Sequence, residues 1–314
     1  MIYDTIIIGA GPAGMTAAIF ATRREMKTLI IGREVGGQVI WAGEIENYPG
    51  FKSISNYEFI EKFREQAISC GAELKEDEVK QIEKLADGTF KLITNKEEFL
   101  AKTVIVTIGL SPRRLAVPGE IEFSGKGVSY CANCDGPLYR GKTVAVIGGG
   151  NAAFDAAEVL SKITDQVYLI HRNKEFKAFD ILVSEVTHRA NIKILKDVKI
   201  QEIIGEKKVE KITYIDNETG KTEEINVEGV FIEIGRIAHT DLVADFIDRD
   251  EKLQLLVNNQ METKTPGMFA AGDVTNASDF KQIPVAIGQA TVAALTAYKY
   301  LQSKDSSMTA ATYY

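Results

Sequence analysis

Residues 4–34 read DTIIIGAGPAGMTAAIFATRREMKTLIIGRE. A β-branched run gives way at Gly9, Gly11 and Gly14 to a stretch with helical spacing, and a second apolar strand follows, ending near Ile31. That order is a strand, a glycine turn, a helix and a strand, the unit of a parallel sheet. The three glycines act together: one makes the tight turn, one lets a pyrophosphate approach the backbone, and one lets the helix lie close to the strand. The helix start, with Pro12 and Ala13 inside the turn, offers free N–H groups and the positive end of the helix dipole to phosphates. A GxGxxG alone is weak; placed between strand and helix it predicts a dinucleotide site.

The pattern recurs in GKTVAVIGGGNAAFDAAEVLSKITDQVYLIHRNKEF, residues 141–176, with Gly148, Gly150 and Ala153 in the glycine positions and Asn151 and Ala152 between them. The two turns are too distant in sequence to serve one unit. Two dinucleotide sites in one chain predict a flavoprotein in which FAD and a nicotinamide nucleotide exchange a hydride. The alternative is a second unit kept only as scaffold. TVIVTIGLSPR, Thr103 to Arg113, and GVFIEIGRIAHT, Gly229 to Thr240, are apolar strands with polar exits, and they mark crossings between two units. TPGMFAAGDV, Thr265 to Val274, runs a strand into Gly272 and Asp273 ahead of another helical stretch, so the final segment is expected to return to the first unit. The fold expected from these segments is α/β, in two nucleotide-binding units of which the first is split by the second.

Composition narrows the classes. The chain has 314 residues, 45% hydrophobic and 26% charged, with a formal net charge of −7. That balance fits globular domains and argues against general nucleic-acid binding, which needs clustered Lys and Arg. No apolar run approaches the length of a bilayer span, and the opening strand lacks the basic flank of a signal peptide, so no membrane role and a cytoplasmic location are expected. The three cysteines are Cys70, Cys131 and Cys134. That is no secreted disulfide framework, and two of them form a CxxC in SYCANCDGPLYR, from Ser129. By itself a CxxC is open to a metal clip, a structural staple or a working disulfide.

The order of GAGPAG, GGQ (Gly36 to Gln38), ENYPG (Glu46 to Gly50), CANCDG (Cys131 to Gly136), GGGNAA and FAAGDV resembles the low-molecular-weight thioredoxin reductases and the similar flavoprotein module of alkyl hydroperoxide reductases, over nearly the whole chain. The resemblance implies a homodimer of chains with two Rossmann-like, doubly wound domains: a discontinuous FAD domain, 1–113 with 242–314, and a pyridine-nucleotide-type domain, 114–241, that carries the CxxC. It implies that Cys134 faces the flavin, that Cys131 attacks the disulfide of a thioredoxin-like protein, and that Asp135 is the acid. A metal clip fits poorly beside this. Zinc takes four ligands, and the chain adds only the scattered His171, His188 and His239. A staple closing so small a loop removes little unfolded-state entropy.

By the same resemblance FAD is contacted by Gly9, Gly11, Pro12, Ala13, Gly14, Gly37, Gln38, Asn47, Gly109, Gly272, Asp273, Gln282, Ile283 and Ala286, with Pro284 unusual for the family. NADPH is contacted by Gly148, Gly150, Asn151, Ala152, Ala153, His171, Arg172 and Lys177. NADPH-using relatives carry HRRxxxR after the second nucleotide strand; here Asn173 and Lys177 replace two of the arginines. Lysine supplies charge without the bidentate fork. No carboxylate ends that strand to take a 2′-hydroxyl, so NADH gains nothing. NADPH is the expected donor, with ferredoxin or another reduced flavin as the alternative, and a flavin-binding redox sensor without turnover as a further one. A C-terminal aromatic, Tyr313 or Tyr314, is a candidate cover for the flavin against a solvated tail. Hinges for domain motion are expected near 113–118 and 236–241.

Overall fold

The inner strands of the two parallel sheets are largely apolar on both faces, and their side chains alternate between two cores. In the computed structural model, which describes residues 1–41 and 44–304 and only the backbone of Trp41, Ile7, Ile30, Ile105 and Phe269 point to one side of the first sheet. Ile6, Ile8, Leu29, Ile31, Val104 and Val106 point to the other. Each such side chain, fully buried, contributes about 1.5–3 kcal/mol, so a slip of register by one residue would exchange both cores at once.

The chain divides into two units. The first comprises 1–40, 57–111 and 237–314; the second comprises 41–56 and 112–236. Segment 41–56, expected within the first unit, groups with the second, where its short hairpin Glu44–Ile45 and Ile54–Ser55 belongs. The chain passes between the units at 40–41, 56–57, 111–112 and 236–237, and the segments Ser111–Pro112 and Arg236–Ile237 pair as a two-stranded ladder. The tail with Tyr313 and Tyr314 lies outside the described residues.

Among the described residues the first unit carries a seven-stranded sheet. Strand Ile2–Ile8 is central, parallel to Thr28–Gly32 on one side and to Glu98–Val106 on the other. Glu73–Glu76 extends the sheet beyond Thr28–Gly32, and Met268–Ala270 returns late in the chain to pair in parallel with Glu98–Val106. The first glycine-turn helix, Pro12–Thr22, packs on the C-terminal helix, Ile283–Lys304, through buried alanines on both: Ala17, Ala18 and Ala21 against Ala290, Ala293, Ala294 and Ala297. Small side chains let the two backbones come close. Pro284 stands in the first turn of the C-terminal helix, where its missing N–H costs nothing.

The second unit has a five-stranded parallel sheet in the order Val128–Ser129, Gly229–Ile232, Thr143–Ile147, Gln166–His171, Ile192–Lys196. One face is covered by the helix Asn151–Ser161 through Phe154, Ala157 and Leu160. The other is covered by a three-stranded antiparallel sheet, Val198–Gly205, Val209–Asp216 and Thr222–Asn226. Ser129, Ile232 and Ile147 end three neighbouring strands of the parallel sheet, so the segments that leave them lie side by side at one edge. Among the described residues no helix is long and apolar enough to cross a membrane.

Candidate active site

The first glycine turn is set by contacts within its own unit. Gly9 has φ +115°, and a Cβ there would fall 2.4 Å from the Thr107 carbonyl oxygen. A Cβ on Gly14 would lie 1.9 Å from the Gly9 carbonyl oxygen, so both positions need glycine for the protein's own packing. Gly11 is different. Its φ is −82°, and the nearest atoms to an added Cβ are 3.9 Å away on Gly36 and Gly37. Nothing in the chain fills the space beside Gly11, which leaves room there for a bound group.

The helix behind this turn has Gly11 as N-cap, with no side-chain cap and no acidic residue in its first turn. Its leading N–H groups are left for an anion, as a pyrophosphate site requires. Around it stand Gly37, whose backbone approaches Gly11, and Gln38, whose Nε2 donates to Asp273 Oδ2 at 3.3 Å. Gly109 lies beside Gln38, and Gly272 beside Ala13 and Ala286. The structure thus gathers Gly9, Gly11, Pro12, Ala13, Gly14, Gly37, Gln38, Gly109, Gly272, Asp273 and Ala286. Gln282 and Ile283 lead into the C-terminal helix, where the Gln282 carbonyl accepts from Ala286 N–H. Asn47 belongs to the segment grouped with the second unit. Half-buried Lys281, absent from the sequence reading, donates to the Thr275 carbonyl at 2.8 Å. Burial lowers its pKa, and Asp273 opposes that shift.

The second turn repeats the open position. Gly150, the N-cap of Asn151–Ser161, has φ −105°, no side-chain cap and nothing within 4 Å of an added Cβ. The residues present therefore fit a dinucleotide at each turn. The other glycine-turn residues serve the protein. Gly149 makes room for the ring of His171, which is buried, faces the Glu175 carbonyl through Nε2 at 3.0 Å, and has its pKa lowered first by burial. Lys177 N–H donates to the Gly149 carbonyl at 2.7 Å, and Asn151 Oδ1 accepts from Phe179 N–H at 2.9 Å. So His171 and Asn151 shape the loop at 172–179, Ala153 is core, and Ala152 is exposed.

The side chains of Arg172 and Lys177 are exposed. A third cation, Lys196, stands opposite His171 in the neighbouring strand and lies over the Phe176 ring at 4.2 Å. All three positive charges act on His171. The sequence signal for Lys196 was its place at a strand end, visible only once the register is known.

Cys131 and Cys134 are joined as a disulfide, with Cα atoms 5.3 Å apart. The single helical turn Ala132–Asp135 follows from Cys131 as its N-cap. Three consecutive backbone groups around Cys131 each meet a side chain. Arg236 donates to the Tyr130 carbonyl at 3.4 Å, Cys131 N–H donates to Ser129 Oγ at 3.1 Å, and Ala132 N–H donates to Glu233 Oε1 at 3.3 Å. Ser129 Oγ–H in turn donates to Asp135 Oδ2 at 2.5 Å. Burial raises the Asp135 pKa and the Ser129 hydrogen bond opposes the rise. The phenol of Tyr139 is pushed up to about 12, by burial and then by the charge of Asp135. A carboxyl that keeps its proton nearer neutrality suits an acid serving a thiolate. No group of acidic, His or Cys residues among those described could hold a metal. Ser129 and Glu233, like Lys196 and Lys281, are residues that the sequence reading missed.

Three comparisons bear on this geometry. Residues 3–290 match the model of the pyridine nucleotide-disulphide oxidoreductase family. The chain is 38% identical over 303 residues to a thioredoxin reductase of Treponema pallidum, covering 96% of this chain and 98% of that one. It is 37% identical over 311 residues to that of Bacillus subtilis, covering 98% and 97%. A solved thioredoxin reductase from Streptococcus pyogenes matches with TM-score 0.91 at 36% identity, over 96% of this chain and 99% of the other.

Proposed function

The chain belongs to the pyridine nucleotide-disulphide oxidoreductases, and on that premise we propose that it is a thioredoxin-disulfide reductase that draws electrons from NADPH through FAD. A flavin and a nicotinamide come with the family; FAD and NADPH are the finer reading. The observation that carries the proposal is the Cys131–Cys134 disulfide, set beside a half-buried acid and one strand away from an open glycine turn. FAD, when bound, takes a hydride from the nicotinamide and delivers two electrons to the disulfide.

The chain's own residues do the rest. Gly9 to Gly14 and the uncapped helix bind the FAD pyrophosphate, while Gln38 and Asp273 serve its ring and ribitol side. Gly150 and the helix behind it take the NADPH pyrophosphate, with Arg172, Lys177 and Lys196 for the 2′-phosphate. Two electrons and two protons convert Cys131–Cys134 to a dithiol. The Cys131 thiolate attacks the disulfide of thioredoxin, Cys134 displaces it, the partner leaves as a dithiol, and the Cys131–Cys134 disulfide re-forms. Asp135 supplies and recovers the proton at sulfur. We place the enzyme in the cytoplasm as a homodimer, where a dithiol donor is kept reduced. A second reading, in which ferredoxin or another reduced flavin is the donor, draws on Asn173 standing where an arginine is expected; Lys196 weighs against it.

The test is NADPH oxidation with thioredoxin as acceptor. Wild-type protein is expected to turn over, and Cys134→Ser to lose at least about 10³-fold of the rate. Turnover with C134S at the wild-type rate, or none with wild-type protein, would sink the proposal.

A further inference from the structure

The strand order of the second unit sets Glu233 between its two reactive features. The disulfide turn leaves strand Val128–Ser129, the glycine turn leaves Thr143–Ile147, and Glu233 follows Gly229–Ile232, the strand between them. Its backbone oxygen lies where a Cβ on Gly148 would be 2.4 Å away, and its side chain accepts from Ala132 N–H, one residue past Cys131. An acid at this place is costly, because a half-buried carboxylate loses hydration and gains only one backbone partner. Nothing in the sheet requires it.

We infer that Glu233 is a positioning residue for the disulfide: it fixes the backbone at Ala132, and its charge opposes formation of the Cys131 thiolate. The inference rests on reading Cys131 and Cys134 as a working dithiol. The charged groups that face the carboxyl are Asp155, an acid on the helix Asn151–Ser161, and Arg236, the base beyond Glu233 on its own segment. Asp135, on the disulfide turn, is tied to Ser129. Burial first, and Asp155 after it, push the Glu233 carboxyl up to about 7, against the pull of Ala132 N–H and Arg236. The group therefore changes charge in the range where a thiol of this kind gains or loses its proton. Neutral Glu233 leaves the turn favourable to thiolate, and ionised Glu233 opposes it.

The experiment follows the rate at which iodoacetamide labels Cys131, located by peptide mass, from pH 5.5 to 9.5 in whole protein reduced with dithiothreitol. No nucleotide and no acceptor protein take part, so the profile is read whether or not the proposed function holds. Glu233→Gln is isosteric and keeps an acceptor for Ala132 N–H. In this variant the midpoint should move down by about half a pH unit to one unit, roughly three- to tenfold in rate on the rising limb before the lower nucleophilicity of a more acidic thiol takes part of it back. Glu233→Asp, which retains the charge, should keep the wild-type midpoint. A Glu233→Gln profile that superimposes on the wild-type one would overturn the inference, as would an equal shift in both variants.

Discussion

The two glycine turns share one backbone plan and differ in what surrounds it. In the first, Gly14 is demanded by the Gly9 carbonyl 1.9 Å from its absent Cβ. In the second, Ala153 occupies that position as a buried core residue. Beside the first turn stand Gln38, Gly272 and Asp273, with the half-buried Lys281 acting on Asp273. The second is ringed by cations at one side, Arg172, Lys177 and Lys196, and by Glu233 and Asp155 at the other. Helix packing and the helix N-terminus are common property. On the proposed function, this difference in surrounding charge suits the first turn to a retained cofactor and the second to an exchanging, charged donor.

Exchanging the third residue of each turn breaks the comparison most severely. Gly14→Ala should cost about 3 kcal/mol or more, because backbone must move to admit the methyl group. The converse Ala153→Gly should cost only about 1 kcal/mol, from helix propensity. Chemical denaturation of both variants checks this, and equal losses would mean the turns are not packed differently.

The second residue sharpens it. Gly150→Ala meets no protein atom, so stability should hold within about 0.5 kcal/mol. The KM for NADPH should rise by tenfold or more, since the methyl group occupies the place of the pyrophosphate. Flavin content should not change. Steady-state kinetics and the visible spectrum read the two effects separately.

On the proposed function the cations divide one donor from another. Lys196→Ala is expected to raise the KM for NADPH about tenfold, near 1.4 kcal/mol, and to leave that for NADH alone, because only the 2′-phosphate adds the charge. An equal rise with both would remove Lys196 from the phosphate site.

The smallest effect tests Glu233 through stability. Its carboxyl has a folded-state pKa of about 7 against 4.5 for an unperturbed group. A raised acid gives its full stabilisation below the lower value and loses it as pH climbs through the higher one. Glu233→Gln should therefore match wild-type protein near pH 4.5 and exceed it above pH 7, by about 1 kcal/mol once water reaching a half-buried group is allowed for. Thermal unfolding across that range is the check.

Much of this architecture is legible in the sequence. Residues 4–34 contain the whole grammar of the first unit, because period, turn and helix start are all local. The pairing of Met268–Ala270 with Glu98–Val106 is readable as a late strand returning. The grouping of 41–56 with the second unit is not, since it depends on a hairpin too short to carry a pattern. His171 illustrates another limit. As sequence it stands in a nucleotide motif; as structure it is a buried ring under Gly149 that holds the loop. Ser129 opens the same short stretch as the cysteines, and Glu233 lies inside a strand-like segment. Ser129 is local to Cys131, whereas only strand order brings Glu233 to Ala132. Lys196 escapes for the same reason, being set beside His171 by register and by nothing local.

The measurement that bears most directly on the central claim is an anaerobic titration of the purified yellow protein with NADPH, with flavin absorbance and new thiols followed together. Bleaching within the time of turnover, with two thiols that map to Cys131 and Cys134, is the result expected. Protein that stays yellow with NADPH and NADH yet bleaches with reduced ferredoxin, or a flavin that bleaches while both cysteines remain unlabelled, would contradict the route from nicotinamide through flavin to this disulfide.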